Sequence, residues 1–84
     1  MNYFVYLLRC RDNSLYCGIT TDLDRRVEEH NSGTKSAKYT RSRRPLHLVY
    51  FETVASHKKA LKREFEIKKL SKEKKENLIQ ATGV

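Results

Sequence analysis

Tyr16-Cys17-Gly18-Ile19-Thr20-Thr21-Asp22-Leu23-Asp24-Arg25-Arg26-Val27-Glu28-Glu29-His30-Asn31 reads as a short strand, a tight polar junction and the first turns of a helix. Tyr16 and Gly18 alternate on the strand and so share one face of the pleat. Thr20 and Thr21 are N-cap candidates, and Thr21 with Asp24 makes an acidic variant of a capping box. Leu23 and Val27, and the i, i+4 pair Arg26 and His30, then recur at helical spacing. A phenol, a glycine, a guanidinium and an imidazole are thereby brought to one end of one unit. Those groups suit holding a phosphate and moving a proton.

Upstream, Tyr3-Phe4-Val5-Tyr6-Leu7-Leu8-Arg9 is aromatic and β-branched at its start and apolar on both faces, which predicts a central strand. Asp12-Asn13-Ser14 is turn chemistry, so the first two strands form an antiparallel hairpin. Gly18 inside a strand marks a bulge or a close approach to the backbone. Downstream, the helix is expected over Asp22 to His30, with Asn31-Ser32-Gly33 ending it at a position tolerant of left-handed backbone. Residues 34–44 form a basic loop with one embedded tyrosine, long enough to suggest a functional role. Pro45 ends that loop at a strand edge. Leu46 to Phe51 is a third strand, with Leu46, Leu48 and Tyr50 on one face and His47, Val49 and Phe51 on the other.

Ser56 is the expected cap of a helix from His57 to Leu70. Taking Ala60 as zero and about 100° per residue, Ile67 falls near −20°, Glu64 near 40°, Leu61 near 100° and Phe65 near 140°. Glu64 thus sits inside the apolar arc, where a carboxylate is costly unless paired or metal-bound. Its expected partner is a cation or Arg26; pairing with Lys68 one turn on is the ordinary surface alternative. Ser71 caps a last helix from Lys72 to about Ala81, packed back through Leu78 and Ile79.

The 84 residues fit one domain, 1–84, with a thin core, and carry a net charge of +8. That charge is unevenly placed. Residues 1–34 hold four Arg or Lys against five Asp or Glu, whereas 35–44 hold five basic residues and no acid. Residues 58–76 hold nine basic and four acidic residues. Such clustering points to a polyanion partner, most simply nucleic acid, with a solvated lysine-rich surface as the alternative for the C-terminal run. No apolar run approaches the roughly 18 residues of a membrane helix, and Met1 leads into a strand-like segment without a basic n-region or small-residue cleavage site, so no signal peptide is expected. The expected setting is the cytoplasm, where Cys10 and Cys17 are free thiols.

Phe4-Val5-Tyr6, then Tyr16-Cys17-Gly18 ten residues on, Arg26 ten further, His30 and a helical Glu64 together resemble the GIY-YIG nuclease superfamily. The resemblance spans essentially the whole chain. It is nearest to small single-domain members, through Gly18-Ile19-Thr20, His30-Asn31, Tyr39-Thr40-Arg41 and Ile67-Lys68-Lys69-Leu70-Ser71. It implies an α+β fold, a three-stranded antiparallel sheet flanked by helices in the order β-β-α-β-α-α. It also implies Mg²⁺- or Mn²⁺-dependent phosphodiester hydrolysis. By position Tyr6 and Tyr16 match the motif tyrosines, Arg26 the motif arginine, His30 a histidine of some branches and Glu64 the metal-binding glutamate. Phe4 replaces the first motif glycine, and Ile19 stands where a repair-nuclease branch places an active-site lysine. Asn77 is a candidate for a polar residue that follows the glutamate in some branches.

Phosphodiester hydrolysis fits these residue types. A cation polarises the phosphate, and Mg²⁺ accepts a single carboxylate with waters and phosphate oxygens. Arg26 offers a bidentate grip. Tyr6 or Tyr16 can take a proton only if nearby positive charge lowers a pKa near 10. Gly18 is expected to admit the phosphate backbone, and Lys35, Lys38, Arg41, Arg43 and Arg44 to hold phosphates. The expected partner is DNA, with RNA also open, for a nuclease acting in repair or recombination. A non-catalytic nucleic-acid-binding module is the alternative. A monomer, without membrane contact or small-molecule cofactor, fits this reading.

Overall fold

The computed structural model describes residues 2–33, 35 and 37–82. Thr34 and Ser36 of the basic loop lie outside them. β1 (Tyr3–Arg9) and β2 (Leu15–Thr20) pair antiparallel, with Leu8 opposite Tyr16 and Tyr6 opposite Gly18. Their bounds are those read from the sequence. At the turn, Asn13 takes a left-handed φ of 70° and donates its N–H to the Cys10 carbonyl at 2.9 Å. The Cys10 N–H in turn reaches the Ser14 carbonyl at 2.9 Å. Asparagine tolerates that backbone, which is why a three-residue loop closes here.

α1 (Leu23–Ser32) is capped by Asp22, whose Oδ1 accepts the Arg25 N–H at 3.1 Å. The expected Thr21–Asp24 box gives way to this arrangement. Thr20 Oγ1 instead accepts the Asp22 N–H at 3.1 Å and shapes the strand-to-helix junction. Gly33 ends the helix at φ −87°, an extended conformation rather than the expected left-handed one.

The basic loop contains one more element than expected, the short α2 (Lys38–Arg41), so the order is β-β-α-α-β-α-α. Thr40 is fully buried on it. β3 (His47–Val54) pairs with the other edge of β1, giving the order β2-β1-β3. It runs three residues past Phe51. The central strand buries Val5, Tyr6, Leu7 and Leu8 on both faces, as its unbroken apolar run predicts.

A bulge corrects the third strand. Leu7 pairs with Tyr50 but Leu8 pairs with Leu48, so Val49 is the extra residue. The alternation of faces therefore breaks there. Leu46 and Leu48 pack with Tyr6, Leu8 and Cys10, while Tyr50 joins Val5, Leu7 and Cys17 on the opposite face.

α3 (His57–Lys68) covers that second face, capped by Ser56 through the Lys59 N–H at 3.2 Å. Ala60 and Ile67 are fully buried, but Leu61 and Phe65 are 47% and 63% exposed. The buried stripe is narrower than the apolar arc. Burying Ile67 contributes about 1.5–3 kcal/mol, and cutting it to Ala would cost about 2–5 kcal/mol.

α4 (Lys72–Thr82) returns to the hairpin through a bidentate pair, Glu76 with Arg9 at 2.7 and 2.8 Å. Arg63 grips Glu52 of β3 in the same way, at 2.8 Å twice. Cys10 and Cys17 are buried free thiols in different clusters, on the two faces of the sheet.

Candidate functional site

The β1–β2 pairing sets Tyr6 directly opposite Gly18, on the face that α1 covers. A Cβ at Gly18 would lie 2.5 Å from the Tyr6 hydroxyl oxygen and 3.2 Å from the Tyr16 ring. The space over Gly18 is thus filled by a phenol of the site itself. The expected role, admitting a phosphate, is replaced by packing: only glycine lets Tyr6 lie flat across the neighbouring strand.

The Tyr6 hydroxyl meets His30 Nε2 at 3.0 Å, and His30 Nδ1 meets Thr40 Oγ1 at 2.8 Å. Thr40 is hydrogen-bonded onward to the Ala37 carbonyl at 3.0 Å. A carbonyl only accepts, so the threonine proton points to Ala37 and Thr40 must accept from His30. Nδ1 therefore carries the imidazole proton. Burial, aided by the Arg26 guanidinium, pushes the His30 pKa down to about 4, so the ring is neutral at pH 7. Nε2 is then an acceptor and Tyr6 the donor. One directed chain runs from Tyr6 through His30 and Thr40 to Ala37.

Burial pushes the Tyr6 phenol up to about 12, the hydrogen bond from Arg26 only partly opposing it. This buried, poorly acidic phenol already donates to histidine. Tyr16 is only half-buried. Its ring meets His30 edge-on at 5.2 Å and stacks on Tyr39 at 6.0 Å, while the Arg43 guanidinium lies 3.9 Å above Tyr39. Tyr16 also lines a cavity of about 230 Å³ at the free edge of β2, with Leu15, Cys17, Tyr39, Lys68 and Lys75.

Arg26 is pinned. Its Nη1 donates to Glu29 at 3.0 Å and to the Lys35 carbonyl at 2.9 Å. A guanidinium has five N–H donors, so beyond these and the bond to Tyr6 it retains donors for an incoming anion.

Tyr6, Tyr16, Gly18, Arg26 and His30 thus come together, with Thr40 and Tyr39 added. The last two lay in the loop reading. Their signal was the stretch Tyr39-Thr40-Arg41, which carries part of the family resemblance without assigning either residue a role.

Glu64 reaches the site through a neighbour, since its partner Lys68 lines the cavity beside Tyr16. It lies on α3, on the Cys17 face of the sheet, with its carboxylate 3.4 Å from Lys68 and its side chain 18% exposed. The expected pairing with Arg26 gives way to this i, i+4 pair, since Arg26 is already held by Glu29. Glu64 does act on the Cys17 thiol of the edge strand, which burial pushes up to about 11. Glu64 and Tyr16 therefore approach β2 from opposite faces.

Two of the five basic residues of the loop, Arg43 and Arg44, are engaged in folding. Arg44 donates to the carbonyls of His30 and Gly33 at 2.6 Å each, completing the end of α1. Arg43 binds Asp12 at 3.1 Å and the Tyr39 carbonyl at 2.8 Å. Lys35, Lys38 and Arg41 are exposed, as is Asn77 on α4.

Among the described residues no group of three His, Cys, Asp or Glu is placed to hold a metal. A divalent cation here would rest on Glu64 alone, with waters and phosphate oxygens filling its shell. That donor set fits Mg²⁺, which commonly takes one carboxylate, and Lys68 would have to move aside.

A hairpin carrying two tyrosines, a helix carrying Arg26 and His30, and a three-stranded sheet between helices define a nuclease-type fold. The chain belongs to the GIY-YIG family: the model of the GIY-YIG catalytic domain matches residues 2–77. Its relatives include the UPF0213 protein DP2720 of Desulfotalea psychrophila, 52% identical over 80 residues, covering 95% of this chain and 73% of that one. The UPF0213 protein BH0048 of Halalkalibacterium halodurans is 49% identical over 83 residues, covering 99% and 87%. The solution NMR structure of BH0048, from Bacillus halodurans, superposes with a TM-score of 0.63 at 48% identity, covering 99% of this chain and 87% of that one. That of EF2693 from E. faecalis gives 0.66 at 41% identity, covering 96% and 85%. No described helix is long and apolar enough to cross a membrane.

Proposed function

We propose that this domain hydrolyses phosphodiester bonds in DNA with the help of Mg²⁺ or Mn²⁺, acting on particular DNA structures during repair or recombination in the cytoplasm. The observation that carries this reading is the directed chain Tyr6–His30–Thr40 beside Arg26, with Tyr16 open to the cavity. That chain holds its groups beside a guanidinium that keeps donors for an anion.

In this reading the roles divide by exposure. Arg26 grips the scissile phosphate, and its charge is largest in effect where phosphoryl oxygens gain charge. Tyr16 faces solvent and so orients the attacking water: its oxygen takes the water proton as its own hydroxyl proton passes to bulk solvent, and the leaving oxygen takes a proton from solvent in turn. Tyr6 and His30 hold Arg26 and the Tyr16 ring in place. Water oxygen bonds to phosphorus as the phosphorus–oxygen bond to the leaving nucleotide breaks. A bound divalent cation would polarise the phosphate and lower the barrier by several kcal/mol. Glu64 is the carboxylate available to hold it.

The second reading, a binding module without hydrolysis, is favoured by one observation: Glu64 is tied to Lys68 rather than aimed at the tyrosines. Incubation with labelled branched, nicked, single-stranded and duplex DNAs, with Mg²⁺, Mn²⁺ or chelator, separates the two. Cation-dependent products that vanish in Arg26→Lys support hydrolysis. Binding to the same DNAs with no product under any condition supports the module.

A further inference from the structure

The cavity at the free edge of β2 joins two groups of residues that the sequence keeps apart. Tyr16 and Tyr39 form one wall as a stacked pair, and Lys68 from α3 and Lys75 from α4 form the other. Edge strands leave main-chain groups unpaired on their outer side. Antiparallel bonding alternates along β2 from the Cys10–Ser14 bond, which turns the N–H groups of Leu15 and Cys17 outward, toward this cavity. The lining thus combines two ammonium groups, outward N–H donors and an aromatic surface.

We propose that this cavity is a second phosphate subsite, in which Lys68 and Lys75 hold a backbone phosphate of a nucleic-acid strand that also reaches Arg26. The proposal rests on the reading that the ligand is nucleic acid, but not on hydrolysis. Three observations carry it. Lys75 makes no ion pair among the described residues, although it is only half-exposed and faces the cavity. Lys68 is held by a single long contact, 3.4 Å to Glu64, which a phosphate can replace. By contrast two of the three loop arginines expected to do this work, Arg43 and Arg44, are already bound to Asp12, Tyr39 and the end of α1. A strand crossing the β2 edge would pass over Tyr16, between Arg26 on one side of the sheet and the two lysines on the other. A neutral peptide or an apolar ligand would cover two ammonium groups without pairing either, so the chemistry favours an anion.

The test is the salt dependence of binding. Labelled single-stranded and hairpin oligonucleotides are titrated with the full chain by fluorescence anisotropy over a series of KCl concentrations. Each phosphate contact contributes about 0.7 to 0.9 to the slope of log affinity against log salt. Lys68→Met/Lys75→Met should lower that slope by about one such contact, and Lys58→Met/Lys62→Met, which removes equal charge from α3 outside the cavity, should lower it by much less. Lys75→Met alone, which breaks no ion pair, repeats the measurement if the double variant melts early. Equal losses from both double variants would show diffuse attraction and overturn the subsite, as would an unchanged slope or no binding by the wild type. A subsite confirmed in protein that never cleaves leaves this inference standing and rejects only hydrolysis.

Discussion

His30 Nδ1 donates to Thr40 Oγ1 across 2.8 Å, and the direction of that bond fixes the proton inventory of the whole cluster. Without Thr40 the imidazole could hold its proton on either nitrogen. Nitrogen-15 NMR should find the wild-type His30 neutral, with the proton on Nδ1. Thr40→Val keeps the shape and removes the acceptor, leaving a buried N–H unmatched at a cost of about 1–3 kcal/mol. That variant should show a mixed or reversed tautomer and a lower melting temperature. Thr40→Ser should restore both. A wild-type ring protonated on Nε2 would reverse the chain and remove Tyr6 as its donor.

Acid stability carries the mark of the same ring. The folded pKa of His30 lies near 4, below the ordinary 6.5, because burial disfavours the cation. The unfolded chain therefore binds more protons than the folded one between those values, and stability must rise with pH in that window. The contribution is complete above pH 6.5 and lost as pH falls toward 4, on the order of 3 kcal/mol in total. Glu76, held down to about 2 by Arg9, also loses its stabilising advantage on acidification, but only below the ordinary carboxylate pKa near 4.5. Urea unfolding of the wild type and His30→Gln from pH 7 to 5 isolates the histidine. The wild type should weaken over that range and the variant should stay level. Parallel curves would reject the neutral buried ring.

Gly18→Ala tests the packing of the two tyrosines. The added methyl would sit 2.5 Å from the Tyr6 hydroxyl oxygen and 2.7 Å from its ring carbon, closer than any relaxed contact. Tyr6 must move, and its bond to His30 must lengthen or break. Overpacking of this kind costs about 1–3 kcal/mol. The melting temperature should drop, and cleavage of a labelled DNA should fall further than the fraction unfolded explains. A variant matching the wild type in both would show that the tyrosine position is not set by this contact.

Arg44→Ala separates a folding role from a binding one. Arg44 donates to two carbonyls at the end of α1, at 2.6 Å each. Hydrogen bonds to charged groups contribute about 1.5–3 kcal/mol, somewhat less when partly exposed. Thermal melts should show a clear loss of stability, while the DNA affinity of the folded protein changes little. The opposite pattern, normal melting with weakened binding, would return Arg44 to the phosphate-contacting role read from its charge.

Local chemistry made the hairpin legible, because strand alternation, turn residues and N-cap serines act over a few positions. β1, β2 and the Ser56 cap follow from such rules. The bulge at Val49 does not, because it depends on how β3 registers against β1, and no residue within β3 announces it. The arc of α3 misled for a related reason. Leu61 and Phe65 are apolar at helical spacing, yet α3 meets the sheet along a stripe that takes only Ala60 and Ile67 fully. Glu64 accordingly lies at the edge of that stripe and pairs with Lys68. At the site, Tyr6, Tyr16, Arg26 and His30 were legible as a pattern. The role of Thr40 and the structural work of Arg43 and Arg44 were hidden, because the partners that define them, His30, Asp12 and the end of α1, lie 10 to 31 residues away.

The division of labour between the two tyrosines is tested most directly by single-turnover cleavage of a labelled DNA by Tyr16→Phe. Tyr16 is half-exposed and its hydroxyl is not needed for the Tyr6–His30–Thr40 chain, so the variant should melt within a degree or two of the wild type. With Mg²⁺ or Mn²⁺ the wild type should cut at least one of the branched, nicked, single-stranded or duplex substrates, and chelator should stop it. Tyr16→Phe should bind the same DNA and cut it slower by about two to four orders of magnitude, the range typical of losing a proton-transfer group. Cleavage by Tyr16→Phe at the wild-type rate would contradict the assignment of Tyr16 as the reacting phenol, and a wild type that binds every substrate and cuts none would contradict hydrolysis itself.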